Sequence, residues 1–196
     1  MNMASTKRDL LINTAQGLFY QHGFRATGID TILAESGVAK KTLYNHFKSK
    51  EDLIVACLYR RDQQLLSLLE ESIEQLAPQQ KCQPAFARIM AFFDALDSWI
   101  NSDNFFGCMF INASAEYHQA DNPVHIACTE HKNLVIKLIE KQLSELALPQ
   151  PLETAKQLAI LADGAIVGAH TTNDLASAKQ AKIVAEVLLS SYAQAA

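Results

Sequence analysis

Apolar positions recur at the three-and-four spacing of amphipathic helices from the start of the chain. Thr6 with Asp9 forms an N-capping signal, and Leu10, Leu11, Ala15, Leu18 and Phe19 follow on one face, so a first helix is predicted up to Gly23. Phe24 should then plug a small core. Thr27 with Asp30 is a second capping signal, ahead of Ile29, Ile32 and Leu33, and Gly37 stops that helix. After a buried hinge at Val38, a third helix of about two turns runs from Ala39 or Lys40 to Phe47, with Leu43 and Phe47 facing inward at i, i+4. Ser49 with Asp52 opens a long helix to about Leu76, apolar at Leu53, Ile54, Ala56, Cys57 and Leu58, then at Leu65, Leu66, Leu68, Leu69 and Ile73, until Pro78 ends it.

The remaining pattern is also helical. Pro84 and Asp103 bracket a stretch apolar at Phe86, Ile89, Met90, Phe93, Leu96, Trp99 and Ile100; Phe105 to Tyr117 follows; Pro123 opens another helix to about Leu148. Two last helices, about Leu152 to His170 and Ser177 to Tyr192, set small residues (Ala155, Ala159, Ala162, Gly164, Ala165, Gly168, Ala169) beside Ile183, Val184, Val187 and Leu188. Small residues let helices approach closely, so this pair suits either monomer packing or a four-helix bundle with a second copy. The expected fold is all-α, about nine helices in total. Residues 1–48 would form a three-helix domain with a helix-turn-helix, and residues 49–196 a larger helical domain for ligand binding and dimerisation.

The chemistry concentrates in the third helix. Its outward face carries Lys40, Lys41, Thr42, Tyr44, Asn45 and His46, with two cations and no carboxylate. Two helices joined by a tight glycine turn form a helix-turn-helix, whose second helix fits the DNA major groove. Lysine and asparagine reach base edges there, and tyrosine, threonine, histidine and lysine suit phosphate oxygens. An ordinary solvated helix face would have the same composition.

Those residues carry a resemblance. The run GVAKKTLYNHFKSKEDL is similar to the DNA-binding signature of the TetR/AcrR family of bacterial one-component regulators, and the match extends over about Lys7 to Leu58. The resemblance implies base or phosphate contact at Lys40, Lys41 and Thr42, and phosphate contact at Tyr44, His46, Lys50 and the helix start at Thr27. It also implies a homodimer, joined through the last two helices, on a double-stranded palindromic operator, with a small-molecule effector in the C-terminal domain. Ala39 stands where the family often has a capping serine, and Asp30 where a basic residue is frequent.

The charge balance fits this division. The net charge of −4 conceals an uneven distribution: residues 1–61 hold nine Lys/Arg against five Asp/Glu, and residues 62–196 hold eight against sixteen. A polyanion would meet the basic end and be repelled by the other. With 196 residues, 49% of them apolar, the chain can bury a core. No apolar run reaches the length of a membrane span and MNMASTKRD lacks a signal-peptide core, so a soluble cytoplasmic protein without membrane contact is expected. Four cysteines without zinc-finger spacing are expected as thiols.

Candidate effector-binding residues are Met90, Phe93, Cys108, Met109, Asn112, Glu116, His131, Asp163 and His170. Met90 and Phe93 belong to a stripe able to line an apolar cavity or simply to fill a core. Cys108, Asn112, Ala115 and Glu116 share a face, an uncommon polar strip in an apolar helix. Gly107-Cys108 with a downstream Ala-Glu is similar to the family's branch that senses electrophiles such as N-ethylmaleimide, which makes Cys108 a candidate reactive thiol, although no clear counterpart of that branch's partner lysine occurs near His170 to Asn173. An alternative is a small helical thiol- or metal-dependent protein using Cys108 or the helix bearing His125, Cys128 and His131. Three steps of three drift around a helix, which strains a common metal site. No nucleophile-base-orienter set and no glycine-rich phosphate loop is found, so no enzyme activity and no cofactor are expected.

Overall fold

Local capping fixes the first helices. In the computed structural model, which describes residues 6–144, 146 and 148–195, Thr6 caps α1 (Lys7–His22): its hydroxyl accepts the Asp9 N–H at 3.1 Å. Leu11, Ile12, Ala15 and Phe19 are buried along one side of α1; Ile12 was not among the expected positions, whereas Leu10 and Leu18, which were, are only partly buried. Gly23 closes the helix at φ +85°, and Phe24, fully buried, stacks on Phe19 with ring centroids 5.3 Å apart. Helix α2 (Ile29–Ser36) ends at Gly37, which sits in the left-handed region at φ +64° where a side chain would be strained.

The cap of α2 differs from the expectation. Gly28, not Thr27, occupies the N-cap position, with no side-chain cap bond. Thr27 is buried, and its hydroxyl donates to the Gly23 carbonyl at 2.8 Å and to the Leu18 carbonyl at 3.3 Å. The side chain thus ties the turn back to the end of α1 instead of opening α2.

Helix α3 (Lys40–His46) follows Val38, which is buried, and buries Leu43, with Phe47 buried at its end. Helix α4 (Lys50–Leu76) then starts on a reciprocal cap: Ser49 Oγ accepts the Asp52 N–H at 3.1 Å, and the Asp52 carboxylate accepts the Lys48 N–H at 3.0 Å. Short 3-10 turns at Ala77–Gln79 and Pro84–Phe86 lead into α5 (Ala87–Ile100). Then come α6 (Met109–Glu116), α7 (Pro123–Gln142), α8 (Pro151–Thr172) and α9 (Ser177–Ala195). Among the described residues there are nine α-helices and no strands.

Two boundaries are corrected. The helix expected from Phe105 begins only at Met109, because Gly107 lies at φ +80° with the His170 ring 2.9 Å from where a Cβ would stand. The helix expected to about Leu148 ends at Gln142, where Leu143 closes the last turn on the Ile139 carbonyl at 3.2 Å. Residues 145 and 147 of that expectation lie outside the described residues, as do residues 1–5 and 196 of the domain ranges.

The chain forms two compact units. One comprises residues 1–63 and 109–131; the other comprises residues 64–108 and 132–196. This packing division is not the functional boundary expected between residues 48 and 49. The first half of α4 belongs with α1–α3, burying Leu53, Ile54, Cys57 and Leu58. So do α6 and the start of α7, which were expected in the larger domain. In the second unit α5, α8 and α9 pack together, with Met90, Phe93, Leu96, Leu158, Ala165, Ala185 and Leu189 buried.

Candidate nucleic-acid interface

Burying Leu43 and Phe47 leaves the other side of α3 to solvent. Lys40, Lys41, Tyr44, Asn45 and His46 are all exposed, Tyr44 at 48%, and Thr42 is partly exposed. Asp30, on α2, lies 3.4 Å from the Lys40 ammonium, and the His46 ring is tilted beside Phe47. Lys48, just past the helix and also exposed, extends the basic edge and was missed in the sequence. The face therefore offers ammonium groups, a phenol, an amide and an imidazole on a rod thin enough for a groove. Ala39 caps α3 with no side-chain bond, as its lack of a side-chain oxygen dictates.

Two expected contacts are placed differently. Thr27 has its hydroxyl turned inward, as described above, so only the backbone of that turn remains for a phosphate. Lys50 is partly buried; its ammonium donates to the Arg25 carbonyl at 3.3 Å and lies 6.0 Å from the Phe19 ring centroid. Burial holds its pKa below the ordinary lysine value, against the opposing pull of Glu51 and Glu116. Arg25 is itself engaged, donating to the Glu116 carbonyl at 2.6 Å and lying over the Tyr117 ring.

The expected effector residues are divided between the two units. Met90 and Phe93 are packed into the second unit's core at 1% and 0% exposure. Cys108 is buried in that unit, whereas Met109, Asn112, Glu116 and His131 belong to the first. The Glu116 carboxylate is taken by the backbone N–H groups of Phe24 at 2.9 Å and Arg25 at 2.6 Å, so it faces the α1–α2 turn and not a cavity. His131 is buried; its Nδ1 is 2.6 Å from the Asp62 carboxylate and its ring stacks on Phe110 at 3.5 Å. Asp163 pairs with Lys132 at 2.5 Å, beside a cleft of about 310 Å³ lined also by Val135, Ile136, Lys156 and Ile160. His170 is exposed and covers Gly107, its ring edge-on to Phe105.

His125, Cys128 and His131 do not meet at one point. His125 Nδ1 lies 2.9 Å from the Tyr117 carbonyl while His131 turns to Asp62. Among the described residues no group of three His, Cys, Asp or Glu side chains is arranged to hold a metal. The four cysteines form no disulfide, and burial pushes the Cys57 thiol far above its ordinary pKa, which makes it a poor nucleophile. No helix among the described residues is long and apolar enough to cross a membrane.

Comparison with known proteins bears on this face directly. Residues 11–57 match the family described as bacterial regulatory proteins, tetR family. The HTH-type transcriptional activator FasR of Mycolicibacterium smegmatis is 33% identical over 91 residues, which is 46% of this chain and 41% of that protein. The HTH-type transcriptional repressor KstR2 of the same organism is 29% identical over 100 residues, covering 47% and 44%. The chain thus spans less than half the length of these curated relatives. Among solved structures, SCO4454, a TetR-family transcriptional regulator from Streptomyces coelicolor, superposes with a TM-score of 0.81 at 28% identity over 95% of both chains. The reduced form of Escherichia coli NemR superposes at 0.79 over 91% of this chain and 94% of that one; at 24% identity it speaks for the fold alone.

Proposed function

We propose, from the premise that this chain belongs to the TetR/AcrR family of transcriptional regulators, that it is an effector-released repressor binding a palindromic operator as a homodimer. The observation that carries the reading is the outward face of α3, where Lys40, Lys41, Tyr44, Asn45 and His46 stand exposed over a buried Leu43 and Phe47. In this reading Lys41 and Asn45 reach base edges, while Lys40, Thr42, Tyr44 and His46 hold phosphates. Lys50 acts from behind, through the Arg25 carbonyl.

Dimerisation is supported by the surface of α8 and α9. Ile160, Val167, Ile183, Val184 and Val187 are exposed there, Ile160 at 70% and Val187 at 66%. Isolated exposed apolar residues are ordinary, but five on two adjacent helices form the patch that an isologous helical bundle would cover. The effector in this reading is a small apolar or electrophilic molecule bound by the second unit, whose core holds Met90, Phe93 and Cys108. Localisation in the cytoplasm, where the chromosome is, fits the same reading.

The test is selection of duplexes from a random pool by the purified protein, followed by footprinting. Two protected half-sites about 34 Å apart are expected. Recovery of no preferred sequence, or of a single unpaired site, would refute the dimeric operator reading.

A further inference from the structure

Glu116 ends α6, yet its carboxylate serves a turn more than ninety residues earlier in the chain. One oxygen accepts the Phe24 N–H at 2.9 Å and the other accepts the Arg25 N–H at 2.6 Å. These are consecutive backbone donors in the link between α1 and α2, and a carboxylate that takes both fixes that link in direction as well as position. Arg25 completes the clasp from its own side: its guanidinium donates to the Glu116 carbonyl at 2.6 Å and lies over the Tyr117 ring. Lys50 then takes the Arg25 carbonyl at 3.3 Å. Gly23 makes the approach possible, since a Cβ there would stand 3.2 Å from Glu116 Oε1 on a backbone already at φ +85°.

The clasp sits at a telling place in the chain path. Residues 109–131 pack with the helix-turn-helix unit, but the polypeptide enters this segment from the second unit at Cys108 and returns to it at Lys132. Helix α6 has only eight residues, with Glu116 at its far end. Glu116 thus ties the end of this helix to the α1–α2 link, and α1 packs against both α2 and α3.

We propose that Glu116 is a positioning residue for operator binding: without touching DNA, its carboxylate holds the α1–α2 link in the geometry that lets α3 enter the groove. This inference rests on the operator-binding reading above. Loss of the clasp leaves the link to be ordered on binding, at a cost in affinity.

The test compares wild type, Glu116→Ala and Glu116→Gln on a duplex selected by the wild-type protein, in fluorescence anisotropy at several salt concentrations. Amide hydrogen exchange at Phe24 and Arg25 is followed in parallel. Glu116→Ala is expected to bind about tenfold or more weakly, equivalent to about 1.4 kcal/mol, with an unchanged salt slope because no phosphate contact is removed. Glu116→Gln, which keeps one carbonyl acceptor, should lose less. Exchange at both amides should quicken in each variant, most in Glu116→Ala. Wild-type affinity in either folded variant together with unchanged exchange overturns the inference, and so does a salt slope that changes by one unit or more. If Glu116→Ala does not fold, Glu116→Gln and its exchange rates decide the matter. Failure of the wild-type protein to select any duplex would instead refute the operator reading, while the exchange measurement would still test the clasp.

Discussion

Asp30 brings a negative charge to the edge of a recognition face whose own helix has none. That helix carries no carboxylate, but the carboxylate of Asp30 reaches across from α2 to within 3.4 Å of the Lys40 ammonium, both groups being well exposed. Such a pair contributes little to folding, and under the operator-binding proposal it occupies a cation assigned to a phosphate. Asp30→Asn is therefore expected to tighten binding to selected and random duplexes alike, by roughly two- to fivefold at low salt. Unchanged or weaker binding in an anisotropy titration would place Lys40 away from the backbone. Residues whose placement follows from their own helix were legible in the sequence: once Leu43 and Phe47 are inward, Lys41, Tyr44, Asn45 and His46 must be outward. Thr27, Lys50, Glu116 and His131 were not, because their partners are Gly23, Arg25, the Phe24–Arg25 backbone and Asp62. Only the first of these lies nearby in the chain, and no local spacing announces the others.

At the scale of single elements, helix ends decided which expectations held. Thr6 with Asp9, Gly37, and Ser49 with Asp52 act through neighbours two to four residues away, and each ends or begins a helix where the sequence placed it. The start of α6 depends on His170 lying against Gly107, a contact between residues far apart in sequence, and the expectation of a helix from Phe105 failed there. Helix α3 has seven residues and no side-chain N-cap at Ala39, whose backbone is already extended at φ −64°, ψ 142°. A serine there can offer its Oγ to the Lys41 N–H two residues on, the Thr42 N–H already donating to the Ala39 carbonyl at 2.9 Å. Ala39→Ser is expected to stabilise the fold by about 1 kcal/mol, read as a higher midpoint in urea with an unchanged slope. An unchanged midpoint would mean that packing of Leu43 and Phe47 already holds the first turn.

For the whole molecule, charge and packing divide the chain in different places. The positive excess ends near Arg61, and the first unit takes in residues up to 63 but also recruits 109–131. That recruitment was invisible in the sequence, which offered only a long uninterrupted α4 as the link between domains. It places an α6-borne carboxylate on the α1–α2 link within the first unit. The account as a whole depends on the outward side of α3 lying against a charged duplex. Its most direct measurement is the dissociation constant for a selected duplex as a function of salt. The expected result is a linear log–log fall, with affinity dropping by roughly a hundredfold or more between 50 and 200 mM salt. An affinity that stays level across that range would contradict it.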